Sequence, residues 1–392
     1  MKKIGLVLSQ PPSYSETFFN SKIKGLKENG HTVTLFTGPC VTSYKACTHK
    51  TSPKLYAFLP QQLLNMLIVG VQLLPYLNRV TRFYVLEKQA GSSTKRIIEK
   101  VYLNAQLLKF KGDWLHFGFA TLAIGRELVA KAIGAKMAVS FRGYDLNVYP
   151  LKHPDCYNLL WQHVDKVQSI SKYLLAKGYA LGLSAKIPYA IITPAVNLAT
   201  LPSKNINTSE NLFKIVTISR YNWIKGMDYL IETATHLKTA GVAFEWHVIG
   251  SGTADEMERY VFHIHQSDLE QQLIFNGKQS HSKTLNIVAT ANLYVQTSLN
   301  EGFCNAILEA QALGVPCVAF NVGGIPENIK ELETGWLIVP YDTAAMAERI
   351  TAFMSLPSAE KQKLADQAIA RVQTHFSLEA QKQAFNEFYI KK

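Results

Sequence analysis

Short β-rich runs alternate with amphipathic stretches twice along this chain, and that alternation limits the fold more than any other feature. The first series is IGLVL (4–8), TVTLF (32–36), DWLHF (113–117), KMAVSF (136–141) and KVQSIS (166–171). The second is FKIVTIS (213–219), FEWHVIG (244–250), QLIFNG (272–277), NLYVQTS (292–298), PCVAF (316–320) and GWLIVP (335–340). Helical spans of roughly 10–15 residues between strands give βαβ units and parallel sheets. Two runs of such strands predict two doubly wound, Rossmann-like α/β domains, each with a ligand crevice outside its strand C-termini. A chain of 392 residues is also too long for one ordinary core.

The boundary falls in NLATLPSKNINTSEN (197–211), a polar stretch with no periodic apolar pattern that reads as a linker. It separates a domain over 1–197 from one over 198–376. After Phe376, the segment SLEAQKQAFNEFYIKK (377–392) reads as a terminal helix capped by Ser377, with Lys391 and Lys392 suiting its C-terminal dipole.

Charge separates the two halves. Residues 1–195 hold 25 Lys/Arg against 9 Asp/Glu, and the remainder hold 16 against 20, which together make the net +12. The first half either faces something anionic (a bilayer, a phosphorylated acceptor or nucleic acid) or simply carries a solvated basic surface. Within it, LLNMLIVGVQLLPYL (63–77) is strongly apolar but contains Asn65, Gln72 and Pro75, and at that length falls short of the roughly 20 residues that span a bilayer. With Arg79, Arg82 and Lys88 following, it fits an interfacial segment on an anionic leaflet or a buried helix pair. The apolar run Ile4–Leu8 is shorter than a secretory core of about 7–15 residues. Cys40, Cys47, Cys156, Cys304 and Cys317 form no CxxC. Both observations point to a cytoplasmic protein, with a peripheral place on the inner membrane face if the apolar segment is interfacial.

Residues suited to chemistry gather in the second half. EGFCNAILEA (301–310) follows a strand and opens a helix, so the glycine turn at Gly302 would bring a ligand against the free amides of Phe303, Cys304 and Asn305. Glu309 lies two turns further on, where a carboxylate can accept hydrogen bonds from vicinal hydroxyls. The same Glu-x7-Glu spacing recurs at Glu379/Glu387 with no such setting. In SRYNWIKG (219–226), Arg220 and Lys225 stand between a strand end and a helix. There two cations could stabilise the charge on a departing diphosphate. GSG (250–252) and VGGIPE (322–327) place Gly250, Gly252, Gly323 and Gly324 at two further strand ends. Neither GxGxxG nor GxxxxGK[ST] occurs, which argues against a dehydrogenase or a P-loop NTPase. No Asp-x-Asp is present to hold a divalent metal on a sugar diphosphate, so the expected chemistry is metal-independent, with no tightly bound cofactor.

In this order and spacing, EGFCNAILEA, SRYNWIKG, the GSG turn and VGGIPE resemble the retaining group 1 (family 4) glycosyltransferases, in the branch that builds exopolysaccharides and lipopolysaccharides. SETFF, GHTV (30–33), SISKYLLAKG (169–178) and PAVN (194–197) extend the resemblance over nearly the whole chain. It implies a glycosyltransferase B-type fold, two Rossmann-like domains facing across a cleft, with the terminal helix packing back on the first. It also implies a hexosyltransferase using a nucleotide diphosphate-sugar and a saccharide or lipid-linked acceptor. Arg220 and Lys225 would bind the diphosphate and Glu309 the ribose. Glu301 and the Gly302–Cys304 backbone would meet the transferred sugar, beside Gly323 and Gly324. On the acceptor side stand Glu16, Thr17, His116 in DWLHFG, and Arg142 and Asp145 in FRGYD (141–145), with His116 also a catalytic candidate. Arg142 occupies the place of a family histidine. An arginine cannot act as a base at neutral pH but can hold a phosphate or carboxylate, which hints at an anionic acceptor.

Two other readings compete. A nucleotide-sugar epimerase or hydrolase would share the fold, but needs acid/base carboxylates and histidines at the cleft. A non-catalytic basic binding protein could use the first half on nucleic acid, yet no nucleic-acid motif is present and the anion-site features lie in the acidic half.

Overall fold

The computed structural model describes residues 1–12, 17–203 and 212–391. The chain forms two compact units, Met1–Ile192 with Gln381–Lys392, and Thr193–Ala380.

The first unit is a seven-stranded parallel sheet. Its strands are β1 (Lys3–Val7), β2 (Thr32–Thr37), β3 (Thr48–Thr51), β4 (Trp114–Phe117), β5 (Lys136–Phe141), β6 (Lys166–Ser169) and β7 (Tyr189–Ile191), in the order β3-β2-β1-β4-β5-β6-β7. The inner strands are buried on both faces beyond their first residues, as a sheet covered by helices on each side requires. Helix α1 (Thr17–Glu28) follows β1 and lays Phe18, Phe19, Ile23 and Leu26 on the sheet. The terminal helix, Leu378–Ile390, begins with the Ser377 hydroxyl accepting the Ala380 amide and adds Phe385, Phe388 and Tyr389 to the same core. Its end is held by Lys166, whose ammonium donates to the carbonyls of Phe388 and Lys391.

Residues 55–90 form α2 (Leu59–Leu73), a tight turn at Leu74–Tyr76 where Pro75 interrupts the α-helical bonding, and α3 (Leu77–Gln89). Helix α2 buries only Val69 and Leu73. Helix α3 buries Phe83 and Glu87, the latter paired 2.7 Å from Lys100 on α4 (Thr94–Leu103).

The second unit is a six-stranded parallel sheet of β8 (Phe213–Ile218), β9 (Phe244–Ile249), β10 (Leu273–Gly277), β11 (Leu293–Gln296), β12 (Cys317–Phe320) and β13 (Gly335–Ile338), in the order β10-β9-β8-β11-β12-β13. The units divide at Ile192/Thr193, earlier than the 197/198 boundary read from the sequence. The cause is local: Val196 pairs with Ser377 and its amide donates to the Phe376 carbonyl, which ties 193–201 to the second unit. Most of the expected linker, 204–211, lies outside the described residues.

Candidate functional site

In both sheets the strand order reverses, between β1 and β4 and between β8 and β11. Such a reversal leaves a crevice outside the strand C-termini because the flanking loops turn away to opposite faces. The motifs of the second half surround the β8/β11 reversal.

After β8 the chain is anchored by Tyr221, which is buried, stacks on Phe275 and donates its hydroxyl to the Val248 carbonyl. That anchor leaves Arg220 exposed at the strand end. Asn222, next on this loop, has a buried Oδ1 with no partner among the described residues. A short turn at Trp223–Lys225 then ends in Gly226 at φ 68°, where a β-carbon would sit 1.8 Å from the Thr297 carbonyl oxygen. Only glycine allows the two loops to approach so closely. The Leu299 amide bonds the Ile224 carbonyl at 2.9 Å, closing the β8 loop onto the β11 loop.

Across that junction, Lys225 Nζ lies 2.5 Å from Glu301 Oε1. The same oxygen accepts from the Ser298 hydroxyl at 2.8 Å, Ser298 accepts from Gln296 Nε2 at 2.7 Å, and Tyr294 donates to Gln296 Oε1 at 2.6 Å. Tyr294, Gln296 and Ser298 are buried, so a satisfied polar chain runs from the sheet interior to the Glu301 carboxylate and fixes its position. Sequence reasoning missed this chain, because its members sit on a strand that otherwise reads as apolar.

The glycine pairs serve the loops themselves. Gly324 donates its amide to the Glu301 carbonyl at 2.8 Å, and β-carbons at Gly323 and Gly324 would fall 2.1 Å from the Glu301 and Gly302 carbonyl oxygens. Gly250 and Gly252 similarly press on the carbonyls of Ser219 and Tyr221. Besides the room for a ligand expected of them, these glycines allow backbone-to-backbone packing of neighbouring site loops. Asn328, buried and not anticipated, holds the turn before the next helix by accepting from the Cys304 amide and donating to its carbonyl, both at 3.0 Å. Phe303 packs on Phe376, and Cys304 is buried, its thiol pushed up to about 12 by burial and the Glu301 carboxylate. Asn305 opens the helix Asn305–Ala312 at the surface.

Glu309 lies on that helix and bonds His281 Nε2 at 2.8 Å. His281 begins the helix His281–Ala289, capped by Ser280, and its hydrogen bond to Glu309 holds its pKa above the usual value. This partner was also unforeseen. The structure therefore gathers Arg220, Lys225, Glu301, Gly302, Cys304, Gly323 and Gly324 on interlocked loops, with Gly250 and Gly252 bracing the β8 loop and Glu309 about one turn along the adjoining helix. Among the described residues, no group of three or more His, Cys, Asp or Glu is placed to hold a metal ion.

Two of the first-unit candidates, His116 and Asp145, lie inside the unit. His116 is fully buried, hydrogen-bonded through Nδ1 to the Tyr389 hydroxyl at 2.6 Å and through Nε2 to the Ser140 hydroxyl at 2.8 Å, with Lys22 Nζ 3.2 Å away. Asp145 is equally buried and accepts from the backbone amides of Ala120, Arg142 and Gly143, so it shapes the FRGYD turn and faces no open space. Arg142 is half-buried, its guanidinium stacked 3.5 Å over the Phe18 ring. Glu16 lies outside the described residues, and Thr17 is the first residue of α1.

Residues 202–371 match the model of the family described as Glycosyl transferases group 1. This stretch carries a group 1 glycosyl transferase domain. Along its full length the chain is similar to WcaL of Escherichia coli K12, whose name assigns it to colanic acid biosynthesis as a glycosyltransferase. The two are 24% identical over 394 residues, covering 96% of each. The amylovoran biosynthesis glycosyltransferase AmsK of Erwinia amylovora is 25% identical, over 73% of this chain and 72% of its own. Anabaena HepE, solved with UDP and glucose, superimposes over 100% of both chains with a TM-score of 0.72 at 15% identity. The group 1 domain and the unit before it together have the glycosyltransferase B-type fold, two Rossmann-like α/β units.

Proposed function

We propose that this chain is a retaining, family 4 hexosyltransferase that moves sugar from a nucleotide diphosphate-sugar to a saccharide or lipid-linked acceptor in surface polysaccharide assembly. The observation that carries this is the junction at the β8/β11 reversal, where Lys225 meets Glu301 with Arg220 on the same loop. In this reading the donor diphosphate draws Lys225 and Arg220, whose positive charge is worth most as the leaving group gains its own. Glu301, freed to face the sugar hydroxyls, acts with the backbone from Gly302 to Cys304, and Glu309 accepts from the ribose. The fixed cations and the start of the helix Asn305–Ala312 take the part a divalent metal would otherwise play, so turnover should survive chelation. The first unit takes the acceptor, with Arg142 suited to an anionic group. The names of WcaL and AmsK support the polysaccharide setting, on the cytoplasmic side where such donors are made.

Release of UDP from UDP-glucose, the first donor to try given the HepE complex, should depend on a lipid-linked saccharide acceptor and persist in EDTA. Release that ignores the acceptor would favour a hydrolase. Release undiminished in an Arg220→Ala/Lys225→Ala protein would overturn the site.

A further inference from the structure

The first unit carries a face that the transferase chemistry does not use. From Leu55 to Asn78 the chain holds no charged residue. In α2, Leu59, Leu63, Leu64, Leu67, Val71 and Leu74 at its end are each more than half exposed. Taken together, Leu59–Gln89 is long and apolar enough to cross a bilayer, yet only 11% of its most apolar window is buried. So large a run of exposed aliphatic side chains is rare on a soluble surface and marks a docking face.

Three observations decide what covers it. The helix is held to the unit along one side: Val69 and Leu73 are buried, Asn65 Nδ2 donates to the Tyr102 hydroxyl, and Lys109 Nζ donates to Gln72 at 3.0 Å. A helix so tied on one side lies along a surface; it does not thread through it. Exposed cations flank the run, Lys54 just before it, Arg82 and Lys88 after it on α3, and Lys95 and Arg96 at the start of α4. Of the acids on α3 and α4, Glu87 is paired with Lys100 and Glu99 with Arg96. A second copy of this chain would bring the same cations against these, whereas an anionic lipid surface complements them.

We infer that α2 and the start of α3 form an interfacial anchor that seats the first unit on an anionic lipid leaflet. The exposed leucines enter the acyl boundary while the basic rim meets the headgroups. Tyr56, Phe58 and Tyr76, at the two ends of the charge-free run, suit the headgroup level. The inference stands independently of the transferase reading, since no residue of the β8/β11 site takes part.

The full-length protein is mixed with phosphatidylcholine vesicles, with and without phosphatidylglycerol, and its partition measured by co-sedimentation. Partition should rise with the anionic lipid, and a Leu67→Trp protein should show blue-shifted emission on binding. Leu63→Gln/Leu67→Gln/Val71→Gln, all at exposed positions, should keep the melting curve but lose at least about tenfold in partition. Lys88→Gln, Lys95→Gln and Arg96→Gln should each cost roughly fivefold. Equal partition of the leucine variant would overturn the inference. So would resistance of the bound protein to alkaline carbonate, which would mean a spanning segment. Self-association lost in that variant, with no vesicle binding by the wild type, would assign the face to a second copy instead.

Discussion

Lys225 and Glu301 form an ion pair at 2.5 Å between two loops that leave the sheet on either side of the β8/β11 reversal. Both side chains are largely buried, so the pair is held by its surroundings, with Ser298 taking a further lone pair of the carboxylate. A donor diphosphate competes with Glu301 for Lys225, which makes the pair the expected point of exchange on binding. Lys225→Ala should lower kcat/KM for nucleotide-sugar by about 10²–10³, as loss of a charge-stabilising donor does elsewhere. Glu301→Gln should lower it comparably, and the double variant should lose much less than the product of the two, because they form one unit. Strict additivity in steady-state UDP release would count against the coupling.

The glycine contacts predict opposite outcomes at two positions. At Gly324 a β-carbon meets backbone atoms of Gly302 at 2.1 Å, so Gly324→Ala must push the β12 loop off the Glu301 loop. That should cost about 2–4 kcal/mol in chemical denaturation. At Gly70, in α2, a β-carbon meets nothing within 4 Å, and Gly70→Ala should stabilise by about 0.5–1 kcal/mol through helix propensity. If both substitutions proved neutral, the close loop packing would not exist in solution.

His281 and Glu309 predict a titration. The hydrogen bond to Glu309 raises the imidazole pKa above 6.5. The stabilising contact is therefore fully present below that unfolded value and is lost as pH rises through the higher folded one. His281 is more than a third exposed and screened, so the effect is better read at the residue than in global stability. An NMR titration should place its midpoint above 6.5, and Glu309→Gln should bring it down. Nucleoside diphosphate should do the same if the ribose takes Glu309, releasing a proton on binding. An unchanged midpoint in Glu309→Gln would sink the pairing.

The legible parts of this chain were those whose physics is local. Every strand with a continuous apolar run could be read, because a buried parallel strand needs one. The two that could not lie at the sheet edges: β3 (THKT) is polar, and β7 (YAI) is only three residues long. At the site, glycine turns at strand ends stood out in the sequence, but their cause did not. Gly323 and Gly324 serve the Glu301 loop, and that contact exists only after folding. His281, Asn328 and the Tyr294–Gln296–Ser298 chain were invisible for the same reason, since a lone polar residue carries no sign of the partner that will satisfy it.

His116 shows how far such a partner can lie, for the Tyr389 hydroxyl that bonds it comes from 273 residues away. Burial, then the charges of Lys22 and Arg142, push its pKa well below 6.5, so the folded protein holds it neutral. The sign follows: as pH falls below the unfolded value the unfolded chain takes a proton that the native one refuses, and stability is lost toward the folded pKa. His116→Ala should therefore cost about 2–4 kcal/mol at neutral pH and flatten the loss of stability between roughly pH 7 and pH 5. Tyr389→Phe should cost about 1–2 kcal/mol by removing the shortest hydrogen bond of the buried imidazole. Activity per folded molecule should stay near wild type in both. A large fall in kcat with unchanged melting temperature would instead return His116 to the chemistry, and would require the terminal helix to move away during turnover.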